Sequence, residues 1–435
     1  MWKFISSFWS DHIRTNQFNS LLRFGVNFLI GVLLINSYLT QDEVGMLEYG
    51  LFLAFTGSFI FTFAYSSSIL TRIKYQDTQS KEDFNDVFWQ LFFISIVTSA
   101  GLYGLLNLLP SFGVDFMPNA FFIPISVLAG LIILVIPAEL FYIIHQRAKS
   151  FFTYSLSIHL GLLALVLIGV YMKWDILSIL YIYIFINLIK LLVVLFQIKP
   201  RFAIKRKVQK EWFVFTIPLF LHFVLGSSMD YLDGHIVASY LDENKFLFYR
   251  YGARELPFSM ILLNAISASF IPILTKDING LGEMKQRIKR IMHFVFPLSI
   301  VLMFVSPFLF QTFYGEDFIL SAQVFNFYLL IVSSRILLPH TILYAKQDNR
   351  ALLIFSAIEF VINVVLSISL ISVMGITGVA FATVIAFLVN RILSIFYIKR
   401  KYEIGLDAYL PKTAYLFYMT LMVGCFLIVQ FFLYE

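Results

Sequence analysis

The chain has 435 residues, of which 60% are hydrophobic, 18% aromatic and 13% charged, with a net charge of +6 and a mean hydropathy of +0.83. Soluble domains carry roughly a quarter charged residues and under half apolar ones, so this composition excludes a soluble domain, a disordered chain and a disulfide scaffold. The single cysteine, Cys425, leaves no intramolecular disulfide and no cysteine-based metal site.

Thirteen apolar segments follow one another, each long enough to cross about 30 Å of hydrocarbon. They run Asn19–Tyr38, Met46–Leu70, Phe84–Leu109, Asn119–Ile144, Phe151–Met172, Ile176–Ile198, Trp212–Tyr240, Phe246–Leu274, Ile291–Phe313, Leu320–Ala345, Ala351–Val373, Ile376–Ile398 and Thr413–Leu433. Their runs are continuous rather than alternating, which predicts an all-α polytopic membrane protein and not a barrel. Ahead of them, Met1–Phe18 lacks the unbroken apolar core of a cleavable leader. Trp2, Ile5, Trp9 and Ile13 share a helical stripe opposite Ser6, Ser10 and Arg14, which predicts a short helix lying in the inner interface.

Alternate loops differ sharply in charge. One side, with the N-terminus, carries 24 Lys and Arg; the other carries Lys173 and Lys245; six more lie within the segments. The asymmetry predicts a cytoplasmic N-terminus. It also accounts for the net charge without nucleic acid as a partner.

The chain repeats itself. A shift of 202 residues superposes Ser37-Tyr38-Leu39 on Ser239-Tyr240-Leu241, Tyr49-Gly50 on Tyr251-Gly252, Lys74 on Lys276, Pro137 on Pro339 and Tyr142 on Tyr344. Six segments separate equivalent positions, so the halves have the same orientation, a parallel repeat. The expected lobes are residues 1–200 and 201–402, joined by the basic linker Gln197–Glu211, with the thirteenth segment in 403–435 outside the repeat. A cavity between two lobes is the expected substrate site.

Enzyme signatures are absent: there is no phosphate-cradling G-x-x-x-x-G-K-[ST] loop, no H-E-x-x-H, and no resident metal centre or cofactor is expected. A membrane glycosyl polymerase or ligase would need an outer-face group such as Asp233 or His235, and the longest outer connection, about Pro110–Pro118, is short for handling an acceptor.

Charges inside the segments are the informative residues, since each costs about 2.5–3.5 kcal/mol at the bilayer centre unless it faces water or a partner. The six bases are Arg23, Lys190, Arg250, Arg254, Arg335 and Arg391. At a rise of about 1.5 Å per residue along continuous helices, they form a ladder through the membrane, suited to an anion that travels between leaflets. Arg23, Lys190 and Arg391 could instead snorkel to inner headgroups. Arg254 and Arg335 are too deep for that, and are expected to face the lumen. Of the acids, Glu255 and Glu359 could neutralise an arginine or, for Glu359, couple protons. Asp230 and Asp233, Asn363 and Ser367, and Thr383 are oxygen donors on segments seven, eleven and twelve, which a single lobe could gather into a small hard-cation site; ordinary interhelical hydrogen bonding is the alternative.

The run Leu247–Pro257 (LFYRYGARELP), with Phe270–Lys276, Ile217-Pro-Leu-Phe220, Tyr344–Arg350 and Met374–Thr383 (MGITGVAFAT), resembles the MOP exporter superfamily, and within it the polysaccharide flippases. The resemblance covers segments one to twelve. It implies an alternating-access transporter, not an enzyme, that moves undecaprenyl-pyrophosphate-linked oligosaccharide from the inner to the outer leaflet of the bacterial cytoplasmic membrane. A pyrophosphate held by lumen arginines, polysaccharide polymerase partners and a monomeric state belong to the same expectation. Multidrug exporters of the superfamily use acids in the first lobe, where this chain has Arg23. The lipid II flippase branch carries two helices beyond twelve and binds sodium in the seven–eleven–twelve cluster; here there is one extra segment, and Ser367 stands where an acid is expected. The coupling ion, Na+ or H+, is left open.

Overall fold

The computed structural model describes residues 12–73, 80–108, 110, 117–201, 210–212, 214, 216–217, 220, 229–255 and 257–434. These residues are helical, with no strand among them, as a chain that must satisfy every backbone group inside lipid requires. Eleven spans in them are long and apolar enough to cross a bilayer. By packing, the chain divides into two units, Met1–Val224 and Leu225–Glu435. The first unit therefore extends past the end of the sequence repeat's first half. Trp212 is fully buried in it, and the Thr216 and Ser68 hydroxyls lie 3.0 Å apart.

The first unit contains α1 (His12–Ile35), α2 (Gln41–Arg72), α3 (Ser80–Leu108), α4 (Phe122–Leu134), α5 (Pro137–Ile144), α6 (Ala148–Tyr171) and α7 (Ile176–Ile198). The second contains α8 (Met229–Tyr240), α9 (Glu243–Gly252), α10 (Pro257–Lys276), α11 (Leu281–Tyr314), α12 (Ile319–Arg335), α13 (Pro339–Ala345), α14 (Asn349–Met374), α15 (Ile376–Tyr402), the short α16 (Leu406–Tyr409) and α17 (Lys412–Leu433).

The 202-residue repeat is visible in the elements. Thr40 caps α2 with a reciprocal capping box to Glu43, and Asp242, its equivalent, caps α9 through the Lys245 amide. Lys173 and Gly375, again equivalent, both take positive φ in the turns before α7 and α15. Gly375, at φ 59° and ψ −140°, holds a conformation that side-chain-bearing residues avoid. Gly50 and Gly252 each mark a close approach. A Cβ on Gly50 would meet the Ile125 side chain of α4 at 3.0 Å, and one on Gly252 would lie 2.3 Å from the Ser321 carbonyl oxygen of α12.

Four sequence expectations change. The predicted interfacial helix Met1–Phe18 is not separate over its described part, because α1 runs on from His12; residues 1–11 lie outside the described set. Segment eight is not one helix. It is interrupted at Ala253–Glu255 between α9 and α10, where Pro257 opens the second helix and disfavours helical backbone just before it. The interruption satisfies part of its backbone locally, with the Ala253 amide donating to Tyr249 and the Arg254 amide to Gly252, both at 2.7 Å. Segment ten likewise breaks: Leu338 adopts a left-handed conformation, and Pro339 starts α13. Its repeat equivalent breaks between α4 and α5 at Pro137. Twelve residues of segment seven fall outside the described set, which contains its end as α8, and so does most of the linker Gln197–Glu211.

The thirteenth segment is a full helix, α17, docked on α11 and α12 by polar contacts as well as apolar ones. Gln323 donates to Gln430 and Asn326 to the Tyr434 hydroxyl, each at 2.9 Å. The Tyr415 hydroxyl donates to the Ser333 carbonyl at 3.1 Å, and Phe426 stands edge-on to Phe327. Such contacts, rather than hydrophobic transfer, hold helices together in lipid.

Candidate anion and cation sites in the second unit

The two broken segments bring charge to one place. The end of α12 delivers Arg335, and the interrupted stretch after α9 delivers Glu255, whose carboxylate accepts from Arg335 Nη2 at 2.6 Å and from Nε at 3.2 Å. The Arg335 guanidinium also lies 4.4 Å from the Phe387 ring centroid on α15. Irregular backbone at membrane depth is tolerated where it is buried in protein or lines a cavity, and a cavity of about 150 Å³ lies beside it. Its lining includes Asn264 and Ser267 of α10, Arg335, Thr341 and Tyr344 of α13, and Arg391 of α15.

Arg391 is the unusual member. It is 7% exposed, its Nε has no hydrogen-bond partner, and no carboxylate among the described residues reaches ion-pair distance. Arg335, Glu359, Glu255 and Tyr344 act on it electrostatically from farther away. A buried donor left unmet costs about 1–3 kcal/mol, and more when charged. The snorkelling alternative for Arg391 therefore does not hold: its side chain ends inside the unit, facing the cavity. Next to it, His340 Nε2 lies 2.8 Å from Asn390 Oδ1, the Ser394 hydroxyl donates to the same oxygen at 3.3 Å, and Asn390 donates to buried Glu359.

The remaining bases fall elsewhere. Arg254 sits in the interruption with its guanidinium 5.2 Å from the Tyr251 ring centroid and is not among the residues that line this cavity. The depths expected from a continuous helix no longer apply to it or to Arg335. Arg250 closes α9 with a buried Nε that lacks a partner, though the side chain has other contacts. In the first unit, Arg23 of α1 grips both oxygens of Glu139 on α5, at 3.0 and 3.1 Å. Asn19 donates to Glu139 at 3.4 Å, and His159 Nε2 lies 3.3 Å from Asn19. Lys190 of α7 acts electrostatically on the same carboxylate.

The oxygen cluster expected from segments seven, eleven and twelve comes together within the second unit. Asp233 of α8 accepts from Thr383 at 2.5 Å, from Ser367 at 3.4 Å and from Asn363 at 3.5 Å, and Asn363 also donates to Thr383 at 3.2 Å. All four are buried, and Asn363 Oδ1 has no hydrogen-bond partner. One carboxylate and two hydroxyls are hard oxygen donors of the kind Na+ or Ca2+ favours, with the Asn363 amide nitrogen turned toward them. Among the described residues no group of three or more His, Cys, Asp or Glu is placed to hold a metal ion. Asp230 is one turn earlier on α8, and its side chain lies outside the described set. Glu359 joins the Asn390–His340 network and not this cluster.

Sequence reasoning did not single out His340, Thr341, Tyr344 or Asn390. The signal available was Pro339: a proline inside an apolar segment marks a break, and the polar residues after it face inward.

The sequence matches a profile of the polysaccharide biosynthesis protein family over residues 39–323, and a second profile with the same description over 282–434. No curated protein matches it. Among solved structures it is similar to a lipid II flippase MurJ in an inward closed conformation, at 16% identity and a TM-score of 0.71, covering 97% of each chain. It is also similar to an outward-facing multidrug resistance MATE family transporter of the MOP superfamily, at 13% identity and a TM-score of 0.56, covering 92% of this chain and 96% of that one. A MOP superfamily transporter from Pyrococcus furiosus matches at 12% identity and a TM-score of 0.57, with the same coverage. At these identities the structures establish the fold, while the family profiles establish the kinship. The chain is a multi-pass membrane protein that belongs to the polysaccharide biosynthesis protein family.

Proposed function

We propose that this chain is a flippase, not an enzyme, and that it moves polyprenyl-pyrophosphate-linked oligosaccharide from the cytoplasmic to the outer leaflet for surface polysaccharide assembly. The observation that carries the reading is a pair of arginines, Arg335 and the buried Arg391, lining one cavity in a family tied to polysaccharide biosynthesis. A guanidinium fork matches phosphate oxygens, and holding one in a cavity suits transient capture of a charged headgroup while the lipid tail stays in the bilayer. The profile of basic loops favours the cytoplasmic membrane with the N-terminus inside. The similarity to a lipid II flippase supports a lipid-linked substrate over a free drug.

For alternating access, a coupling ion would act at Asp233, Asn363, Ser367 and Thr383. A small cation bound there would be held by the Asp233 carboxylate and the Ser367 and Thr383 hydroxyls. A proton on Asp233 is the other way to neutralise that carboxylate, and replacing Na+ with a large organic cation separates the two.

The test is reconstitution. Purified protein in vesicles containing a fluorescent polyprenyl-diphosphate sugar should render the inner-leaflet pool accessible to an impermeant quencher, and Arg391→Ala should abolish this while leaving folding intact. Equal rates with the variant, or none with the wild type, would remove the reading.

A further inference from the structure

The 34 residues of α11 extend about 51 Å at a rise of about 1.5 Å each, while hydrocarbon takes about 30 Å. Measured back from Tyr314, the hydrocarbon length ends near Phe294, so Leu281–His293 stands at headgroup level on the side of the basic loops. The face formed by Met284, Ile288, Met292 and Val295 is fully buried. The opposite face is exposed and changes character along its length, from Gln286, Lys289, Arg290 and His293 to Pro297, Phe304 and Phe308. Other bases at this end are occupied. Arg287 pairs with Glu283 at 3.0 Å, Lys285 donates to the Asp407 carbonyl at 2.6 Å, and Lys412 pairs with the Asp407 carboxylate at 2.5 Å. Lys289 and Arg290 have no hydrogen bond or ion pair among the described residues. His293 Nδ1 lies 2.7 Å from the Tyr418 hydroxyl of α17. A neutral imidazole and a phenol carry one donor each and their mutual bond uses one, so either His293 Nε2 or the Tyr418 hydroxyl keeps a donor to give. Pro297 also withholds an N–H from the His293 carbonyl. Met303, deprived in the same way by Pro307, accepts from Ser306 and Asn326, each at 3.2 Å, whereas no side chain among the described residues serves His293.

We propose that this face of α11, with Tyr418 of α17 beside it, binds an anionic phospholipid of the phosphatidylglycerol kind. The phosphate would meet Lys289, Arg290 and the donor kept by the His293–Tyr418 pair, and a headgroup hydroxyl would donate to the His293 carbonyl. An acyl chain would lie along Phe304 and Phe308. The face selects an amphiphile because its cations stop where hydrocarbon begins and its apolar surface continues on the same line. A soluble anion would leave the apolar half uncovered, and a zwitterionic lipid would leave two cations without a net counter-charge. Each cation at a headgroup surface is worth roughly fivefold in affinity for anionic lipid. None of these residues lines the cavity of Arg335 and Arg391, and the site stands whether or not the chain is a flippase.

The experiment titrates phosphatidylglycerol into the full-length protein in a neutral detergent, read by native mass spectrometry and by the thermal midpoint. Wild type should hold one phosphatidylglycerol per chain more tightly than any phosphatidylcholine, and its midpoint should rise with the first and not the second. Lys289→Gln and Arg290→Gln should each weaken that binding about fivefold, and the two together about 25-fold. Their midpoints without phosphatidylglycerol should equal the wild type's, which verifies folding. Lys399→Gln with Arg400→Gln, which removes two exposed cations from the end of α15, should leave the binding unchanged. Equal loss with both pairs would mean general attraction of anionic lipid to a basic surface and would overturn the site. Binding that survives the loss of Lys289 and Arg290, or no preference over phosphatidylcholine, would overturn it as well. Glycerol phosphate, the headgroup chemistry without acyl chains, should not displace the lipid; displacement would make this a free-anion site and overturn the lipid assignment.

Discussion

Glu255 competes with any anion for Arg335, and neutralising it gives a two-sided prediction. Glu255→Gln keeps the shape and one acceptor but removes the charge that Arg335 now holds at 2.6 and 3.2 Å. With charge centres about 4 Å apart and an effective dielectric near 20, the Coulomb attraction is about 4 kcal/mol, of which desolvation of the pair cancels a large part. The side chains are 27% and 14% exposed, so water screens the pair weakly. If about a third of the attraction is recovered by a bound diphosphate, the gain is roughly 1.4 kcal/mol, a tenfold tighter Kd. The same change leaves the Arg335 guanidinium with a neutral partner and should lower unfolding stability by about 1–3 kcal/mol. Pyrophosphate titration and thermal unfolding in one detergent read both effects. Tighter binding in a less stable protein is expected. Binding weakened as much as by Arg391→Ala would refute the reasoning, because Glu255 would then be part of the site and not its competitor.

Other predictions follow from particular contacts. At the turn before α14, burial alone would raise the Asp348 carboxyl. Hydrogen bonds from Lys401, Tyr402, Tyr397 and the Ala351 amide instead hold it well below the ordinary carboxylate value of 3.8. Its folded pKa is depressed, so its contribution is complete above about pH 4 and is lost as pH falls further; Asp348→Ala should cost about 2 kcal/mol at pH 7, and its deficit relative to wild type should shrink in acid. A deficit independent of pH between 3 and 7 would contradict this. Gly252→Ala should destabilise the protein by about 1–3 kcal/mol or more, because the new methyl meets the Ser321 carbonyl at 2.3 Å and Val324 Cβ at 2.8 Å. Gly50→Ala, which meets only the flexible end of Ile125, should cost clearly less, and equal thermal shifts would count against the packing argument. Asp233→Asn should abolish the dependence of transport on the coupling cation, while Ser367→Ala weakens it; transport by Asp233→Asn with unchanged ion dependence would place coupling elsewhere.

Much of this architecture was legible before the structure because lipid restricts the choices. Apolar runs must be helices, and a fixed 202-residue register must be a repeat, as the caps at Thr40 and Asp242 show. Asp233, Asn363, Ser367 and Thr383 were legible as a set for a similar reason: oxygen donors one turn apart on three helices of one lobe have few places to point. The breaks were harder to read. Hydropathy is blind to backbone conformation, so the segment containing Gly252, Arg254, Glu255 and Pro257 looked continuous, and Arg254 was paired in expectation with Arg335. The interruption instead carries Glu255 to Arg335 and leaves Arg254 on Tyr251. Arg391 was legible as one of six candidate anion-binding bases, but its surroundings were not, because its neighbours His340, Thr341 and Tyr344 read as ordinary packing residues until the break at Leu338 brought them beside the same cavity.

The most direct test of the central claim places the lipid-linked glycan by leaflet. In cells lacking this chain, an impermeant probe should find completed units trapped on the cytoplasmic face; wild type should restore them to the outer face, and Arg391→Ala should not. Units delivered outside but left unpolymerised, or a normal distribution in the deletion strain, would contradict translocation as the function.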